Sequence, residues 1–420
     1  MSRAVALHVV GAAGLPLGTF RCEVPTPWLQ EVEDVLAVAR EAGLALNVLR
    51  LLHHLPGDAA AGIPTACAYV AEALVTPPAG ALAPPLPFPA GDHPLRSRYA
   101  RAGGNSADIA WAASVLASRG PGGSGPPSAG SGAVLAAEQQ RTWNLSCVHR
   151  LRLAGGGFAW LKAVPPFFAH EGAVIAAITA LDGLAGAALH LPALLGHDAQ
   201  AGRLLLAHCD GVLMWGCEVG AWRAVVDAHV DRQWRLQAAV PALRELGLPD
   251  WRGPALLAAI NGLCARADVL ATLTPAERSA LDALLVGLPG RLAEIEACGL
   301  PDTLVHGDLH QGNVIATAEG PVLLDWGDAG VGHPLLDVPA LCHGFAPADQ
   351  AAVRGVVVAA WQARLPGAKV ERALALIAPV MELRQALVYR TFLDGIEPAE
   401  RHYHEADVPQ RLRLAIAAAS

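Results

Sequence analysis

Apolar and polar positions in the first ninety residues follow two different periods. Residues near 4–10, 17–24, 45–54 and 64–74 are strand-like runs. Residues 27–42 carry apolar side chains at helical spacing, with Pro25-Thr26-Pro27 before them and Gly43 after, which predicts a helix. The order strand, strand, helix, strand, strand predicts a small α+β domain. The N-terminal run Ala4–Ala13 also resembles a short signal segment, but His8 and Gly11 interrupt it and no clear cleavage site follows, so it is read as a strand. A proline- and alanine-rich stretch over 79–90 predicts a linker or wrap, and Asn105–Ala117 one amphipathic helix. Residues 119–133, rich in glycine, proline and serine, predict a flexible linker. Val148–Leu153 and Phe158–Val164 are again strand-like. The Gly155-Gly156-Gly157 run between them is explained by a hairpin turn, not by a phosphate cradle. The rest is expected to be mostly helical. Thr274-Pro275-Ala276-Glu277 is a capping box with proline at the first helical position, and further helices are expected near 347–364, 369–393 and 399–418. One hairpin interrupts this region, with strands Val314–Ala316 and Val322–Leu324 around a turn at 318–321.

That hairpin carries the chemistry. His306, Asp308 and Asn313 fit the pattern H-x-D-L-x-x-x-N, and Asp325-Trp326-Gly327 begins twelve residues past Asn313. Phosphoryl transfer needs a group to orient the acceptor hydroxyl, a metal to neutralise the triphosphate, and ligands to hold that metal. Asp308 is the candidate catalytic base or orienter. Asn313 and Asp325 offer the hard oxygens that Mg²⁺ prefers. His306 reads as a buried histidine bracing the loop. His310 is open between loop support and substrate contact, and Asp328 between support and a turn. Asp337 reads as a helix cap or brace.

His306-Gly-Asp-Leu-His-Gln-Gly-Asn313 with Asp325-Trp-Gly-Asp-Ala-Gly-Val-Gly-His-Pro334 resembles the aminoglycoside phosphotransferase and choline kinase superfamily. The resemblance covers about residues 136–420. It implies an α+β, bilobal protein-kinase-like fold with a small β-rich N-lobe and a mostly helical C-lobe, here preceded by the small α+β domain. The expected division is an N-terminal cap-like domain over 1–118, the linker over 119–133, the N-lobe over 134–210 and the C-lobe over 211–420. The extra first domain is similar to the layout of maltokinase-like sugar kinases. Protein kinases carry an arginine where Gly307 stands, and only a few residues separate Asp325 from the helical run near Pro334. No activation segment fits there, so no protein substrate is expected.

A kinase fold also needs a lysine on its third strand paired with a glutamate on the next helix. Lys162 ends the strand-like run Ala159–Lys162, and Lys369 is the only other lysine among 30 Lys+Arg. A compact ammonium at 162 suits an α/β-phosphate contact; the alternative is a surface lysine at a strand end. The resemblance makes Glu171 its partner, although Glu171 would also favour a helix N-terminus. The phosphate-loop position falls near Thr142–Ser146, where backbone N–H groups and the Ser146 hydroxyl are the candidates. The adenine would pair with backbone along Arg203–Gly211, at Ala207 and Cys209. ATP with Mg²⁺ is expected, with GTP open as a donor. Catalysis on a small hydroxyl compound (an aminoglycoside, amino sugar or neutral sugar) is favoured over a nucleotide-binding module without activity, because all four key polar residues are present.

The net charge of −8 argues against nucleic acid as a partner and mildly favours a cationic acceptor. Asp394, Glu397, Glu400, Glu405 and Asp407, near Tyr389, Arg390, His402 and Tyr403, are candidates for receiving an amine or else form a solvated face. Eight scattered cysteines without metal spacing fit reduced thiols and a cytoplasmic setting, and no stretch has the length and purity to span a membrane.

Overall fold

The computed structural model describes residues 2–58, 63–89, 91–119, 132–182 and 190–419. Its contacts divide the chain into two compact units. One comprises Met1–Gly172, Ala193–His208 and Phe392–Tyr403; the other comprises Ala173–Pro192, Cys209–Thr391 and His404–Ser420.

The first unit begins with strands β1 (Arg3–Val10) and β2 (Pro16–Val24), helix α1 (Glu33–Glu41), and strands β3 (Leu46–Asp58) and β4 (Ile63–Ala73). The sheet order is β2-β1-β4-β3, with β1 and β4 parallel and the other pairs antiparallel. The alternation in β1 follows from this: Val5, Leu7 and Val9 point to a core shared with Val35, Leu36 and Ala39 of α1. Helix α1 starts later than the expected residue 27. Leu29 and Gln30 form a turn, and Gln30 and Glu31 pair with Thr142 and Arg141, which keeps the chain out of the helix until Glu33.

Helix α2 (Gly104–Ser118) follows, then an antiparallel sheet of β5 (Val134–Thr142), β6 (Cys147–Leu153), β7 (Phe158–Ala163), β8 (Leu194–Asp198) and β9 (Arg203–Ala207), in the order β5-β6-β7-β9-β8. Helix α3 (Glu171–Asp182), most of which belongs to the second unit, follows β7 after a 3-10 turn at Pro166–Phe168. Gly156 and Gly157 have φ of 87° and 74°, values that favour glycine, and make the turn between β6 and β7. The expected linker lies almost wholly outside the described residues.

The boundary drawn at residue 118 does not match the packing. Ala112 and Leu116 of α2 share a core with Leu151, Leu161 and Leu205 of the five-stranded sheet, so this helix goes with that sheet and not with the first one. The two sheets are also joined. The buried Gln139 side chain receives the Val48 N–H at 2.7 Å and donates to the Val48 carbonyl at 2.8 Å, as a neighbouring strand would.

The second unit is mostly helical. Its helices are α4 (Val219–Leu236), α5 (Val240–Glu245), α6 (Gly253–Cys264), α7 (Ala267–Leu270), α8 (Pro275–Glu296), α9 (Val338–Leu341), α10 (Pro347–Arg364), α11 (Val370–Gly395, whose last residues cluster with the first unit) and α12 (Asp407–Ala419). The Thr274–Glu277 capping box opens α8 as expected. Two small sheets interrupt the helices: β10 (Val212–Leu213) with β13 (Val314–Thr317) and β14 (Gly320–Leu323), and β11 (Asp250–Trp251) with β12 (Thr303–Val305) and β15 (Gly330–Gly332). The second sheet was not expected, since strands of two or three residues leave no period to read. The whole is α+β, with the sheet-rich and helical parts that a protein-kinase-like fold requires. All eight cysteines are free. Among the described residues, no helix is long and apolar enough to cross a membrane.

Candidate active site

Val305 ends β12, and the chain then runs through His306–Asn313 into β13. Val314 pairs with Leu323, and the Leu324 N–H donates to the Asn313 carbonyl at 2.8 Å. The ladder therefore continues past the strands and brings Asn313 opposite Leu324, the residue before Asp325. Asn313 Nδ2 donates to the Asp308 carbonyl at 2.8 Å and to Asp308 Oδ2 at 3.2 Å. With its nitrogen committed to Asp308, the amide presents Oδ1 as its oxygen donor. Asp325 is the only described residue other than glycine with positive φ, at 59°. Such a backbone costs of the order of 1–3 kcal/mol and persists only where its surroundings enforce it.

Asp337 organises the loop from behind. It is buried, and its carboxylate accepts from the His306 N–H at 3.1 Å, the Gly307 N–H at 2.7 Å and Gln233 Nε2 at 3.0 Å, and meets His229 Nε2 at 2.8 Å. Burial alone would raise this carboxyl. The bond to His229, the nearby histidines and the Gly307 N–H outweigh burial and hold it below the usual carboxylate range. From the sequence Asp337 reads as a helix cap or brace; it stands before α9 but makes no side-chain cap bond there, and it braces the loop instead. His306 is wholly buried, and burial pushes it down to about 4, so it is neutral. Its Nε2 bonds the Leu324 carbonyl at 3.0 Å, tying the loop to the hairpin, and its ring packs 4.4 Å from that of Trp326. The buried Arg384 guanidinium donates to the Gly307 carbonyl at 3.2 Å and the Asp328 carbonyl at 3.1 Å. Gly307 has φ of 88°, and a Cβ there would lie 2.3 Å from the Asp328 carbonyl oxygen, so this position leaves no room for an arginine.

Asp308 itself is 46% exposed. His310 Nδ1 accepts the Gly312 N–H at 2.9 Å, which puts the ring proton on Nε2, 3.5 Å from Asp308 Oδ2. The Trp215 ring stacks on His310 at 5.0 Å and leaves no space for a side chain at Gly312. Beside Asp308 lies a cavity of about 300 Å³, lined among others by His310, His343, Glu382, Gln385, Tyr389 and Arg411.

On the first unit, Lys162 of β7 and Glu171 at the start of α3 form a direct pair. Lys162 Nζ lies 3.0 and 2.8 Å from the two carboxylate oxygens, and Glu171 is buried. Ser146 lies in the turn between β5 and β6, where its hydroxyl accepts from the Trp143 indole at 3.1 Å. Ala207 ends β9, and its N–H donates to the Ala193 carbonyl at 2.9 Å. Cys209 follows, half-buried, its thiol raised by burial and by the neighbouring Asp210.

Two acids left open between an acceptor site and a solvated face are structural. Glu397 is clamped by Arg96 at 2.9 and 2.8 Å, with Arg50 at 3.7 Å. Glu400 is also buried, and burial with the adjacent Glu397 charge pushes it up to about 8, so it is mostly protonated at neutral pH. Neither forms a solvated face, because Phe392–Tyr403 packs with the first unit, where Phe392 meets Phe167 and Phe168. The residues sequence reasoning missed are His229, Gln233 and Arg384 behind the loop, and Glu382, Gln385 and Arg411 in the cavity. Helices α4, α11 and α12 carry them, and no local pattern marks them.

No curated protein matches this chain. Among solved structures, the macrolide 2'-phosphotransferase MphH from Brachybacterium faecium is similar over 65% of this chain and 91% of its own, at 18% identity and a TM-score of 0.46. An ethanolamine kinase from Plasmodium vivax is similar over 68% of this chain and 82% of its own, at 10% identity and a TM-score of 0.47. An aminoglycoside 2'-phosphotransferase-IIIa solved with GDP is similar over 68% and 93%, at 12% identity and a TM-score of 0.47. At these values the likenesses decide nothing about substrate. The model of the phosphotransferase enzyme family, APH, matches residues 150–376, just over half of the chain, spanning Lys162, Glu171, Asp308, Asn313 and Asp325. The chain belongs to the phosphotransferase enzyme family.

Proposed function

We propose that this protein transfers the γ-phosphoryl group of ATP, with Mg²⁺, to a hydroxyl of a small molecule. The observation that carries this reading is the Asp308–Asn313–Asp325 arrangement. One exposed carboxylate stands beside a cavity, held by an amide whose nitrogen is committed to it, with Asp325 one residue past the Leu324 N–H bond to the Asn313 carbonyl. Asp308 accepts a hydrogen bond from the acceptor hydroxyl, aims its oxygen at the phosphorus and takes the proton as transfer proceeds. His310 Nε2–H and Asn313 Nδ2–H keep its carboxylate oriented.

The donor set fits Mg²⁺. Asn313 Oδ1 and the Asp325 carboxylate are both hard oxygens, and phosphate oxygens and water complete such a site. When bound, the ion neutralises the triphosphate charge that would otherwise repel the incoming oxygen. Lys162, kept in place by Glu171, takes the α/β-phosphates. Ser146 would contribute its hydroxyl proton, since its oxygen already accepts from Trp143. Backbone groups at Ala207 and Cys209 would read the base. An ATP donor makes a cytoplasmic setting the natural one.

The test is ATP-dependent phosphorylation of a panel of hydroxyl acceptors, with GTP as comparison donor. Asp308→Asn should lower turnover at least a hundredfold while nucleotide still binds; turnover like the wild type would remove Asp308 from its role.

A further inference from the structure

Within this reading, the cavity beside Asp308 also limits which acceptor it takes. We propose that the acceptor is a neutral, polyhydroxylated molecule of about one sugar ring, and that the Glu382–Arg411 pair makes the site reject amine-bearing acceptors.

Size is the first observation. At about 300 Å³ the cavity is at the bottom of the range of ~300–1,000 Å³ that drug-sized ligands occupy. A multi-ring acceptor would have to leave most of its rings outside.

Charge is the second. An ammonium needs a carboxylate able to take it, and the cavity lining contains two, Asp308 and Glu382. Asp308 receives Asn313 Nδ2 and faces His310, and the reaction requires it to meet a hydroxyl. Glu382 accepts from Arg411 Nη1 at 3.0 Å. Arg411 in turn is 5.8 Å from the centre of the Tyr389 ring, so the ion pair is held against the wall. Each lining carboxylate thus has a partner, and a substrate cation would meet the Arg411 guanidinium beside the acid it sought. The Glu382 and Arg411 charges cancel each other, and the one lining charge left, Asp308, is engaged by Asn313 and by the reacting hydroxyl.

Hydrogen-bonding capacity is the third. Gln385 Oε1 accepts from Arg384 at 3.2 Å, which turns its amide N–H₂ outward as a donor. Burial, with the nearby Arg411 charge, holds His343 below its ordinary range, so it is uncharged at neutral pH and can donate or accept. Tyr389 adds a phenol whose ionisation burial has pushed further up. A hydroxyl is both donor and acceptor and can use each of these groups, and a site built to bond hydroxyls rejects compounds lacking them strongly.

The experiment measures kcat/KM for ATP-dependent phosphorylation of neutral hexoses, pentoses and polyols against glucosamine and kanamycin. Neutral acceptors should be favoured at least tenfold. Arg411→Gln should release Glu382, raise KM for the best neutral acceptor severalfold with little change in kcat, and narrow the preference against glucosamine. Glu382→Gln should raise the same KM and leave glucosamine poor. Both side chains are partly exposed, and melting curves separate loss of fold from loss of recognition. Preference of the wild type for glucosamine or kanamycin would overturn the inference and leave the transferase reading intact. An unchanged KM in both variants would overturn it too. Absence of transfer to every acceptor would overturn the transferase reading, and this inference with it.

Discussion

Lys162 and Glu171 stand nine residues apart and hold each other directly. Asp308 is held differently. Its loop hangs on Asp337, thirty residues on from Gly307, which is fixed by His229 more than a hundred residues away, and on Arg384, seventy-seven residues beyond Gly307. Glu171 holds the Lys162 ammonium itself, the atom proposed to meet phosphate. Asp308, the proposed catalytic aspartate, stays exposed while its loop turns sharply, so its rigidity comes from groups set behind the loop. A short-range ion pair suffices where the functional atom is itself the bonded atom. Long-range bracing is needed where the functional carboxylate must be left open.

Replacing Asp337 tests this contrast most severely. Asp337→Ala removes a buried carboxylate from two backbone N–H groups, His229 and Gln233, and should cost about 3–5 kcal/mol, the usual scale for breaking a buried charge network. Denaturant melts would show this, with activity falling together with the loop. A cost below that of Glu171→Gln would remove the distinction between braced loop and self-held pair.

Acid should weaken both regions by a smaller amount. His149 in the first unit and His306 in the second are both buried and pushed down to about 4 from an ordinary value of 6.5. Folded, each stays neutral; unfolded, each takes a proton as pH falls below 6.5. Stability is therefore complete above about pH 6.5 and is lost progressively as pH falls towards 4, by at most about 3 kcal/mol per histidine. Thermal melts from pH 7 to 4.5 should show this slope, and His306→Gln should flatten it. An unchanged slope would show that the loop histidine carries no part of it.

The smallest stability change is expected at the pair itself. Glu171→Gln should cost about 1–2 kcal/mol, because Lys162, 13% exposed, can turn towards water. Its functional effect should exceed its structural one, with the KM for ATP rising at least tenfold at nearly unchanged kcat. A fall in kcat alone would mean that the pair serves the fold and not the nucleotide.

How much could be read from the chain follows the same division. Lys162 was legible as one of two lysines, at the end of a strand-like run, and Glu171 as its partner through the family resemblance. The capping box at Thr274 and the hairpin carrying Asn313 were legible as local patterns. Asp337 was marked by its position after His333-Pro334. Arg384 was not, since one of three arginines in α11 looks alike whether it faces solvent or two backbone carbonyls. Glu397 and Glu400 misled for a related reason: acids on a terminal segment look solvated until the chain is seen to bury them against Arg50 and Arg96. Helix α2 was grouped with the wrong sheet because amphipathic spacing shows that a face is buried, not which surface covers it.

The sequence by itself determined the reaction chemistry: the lysine, two acids and an amide at offsets that local backbone geometry can satisfy. Tertiary structure alone decided what holds Asp308 rigid and what surrounds it. Side chains from α4, α11 and α12 meet there only after the chain has folded, and their contacts depend on distances through space that no interval along the chain records.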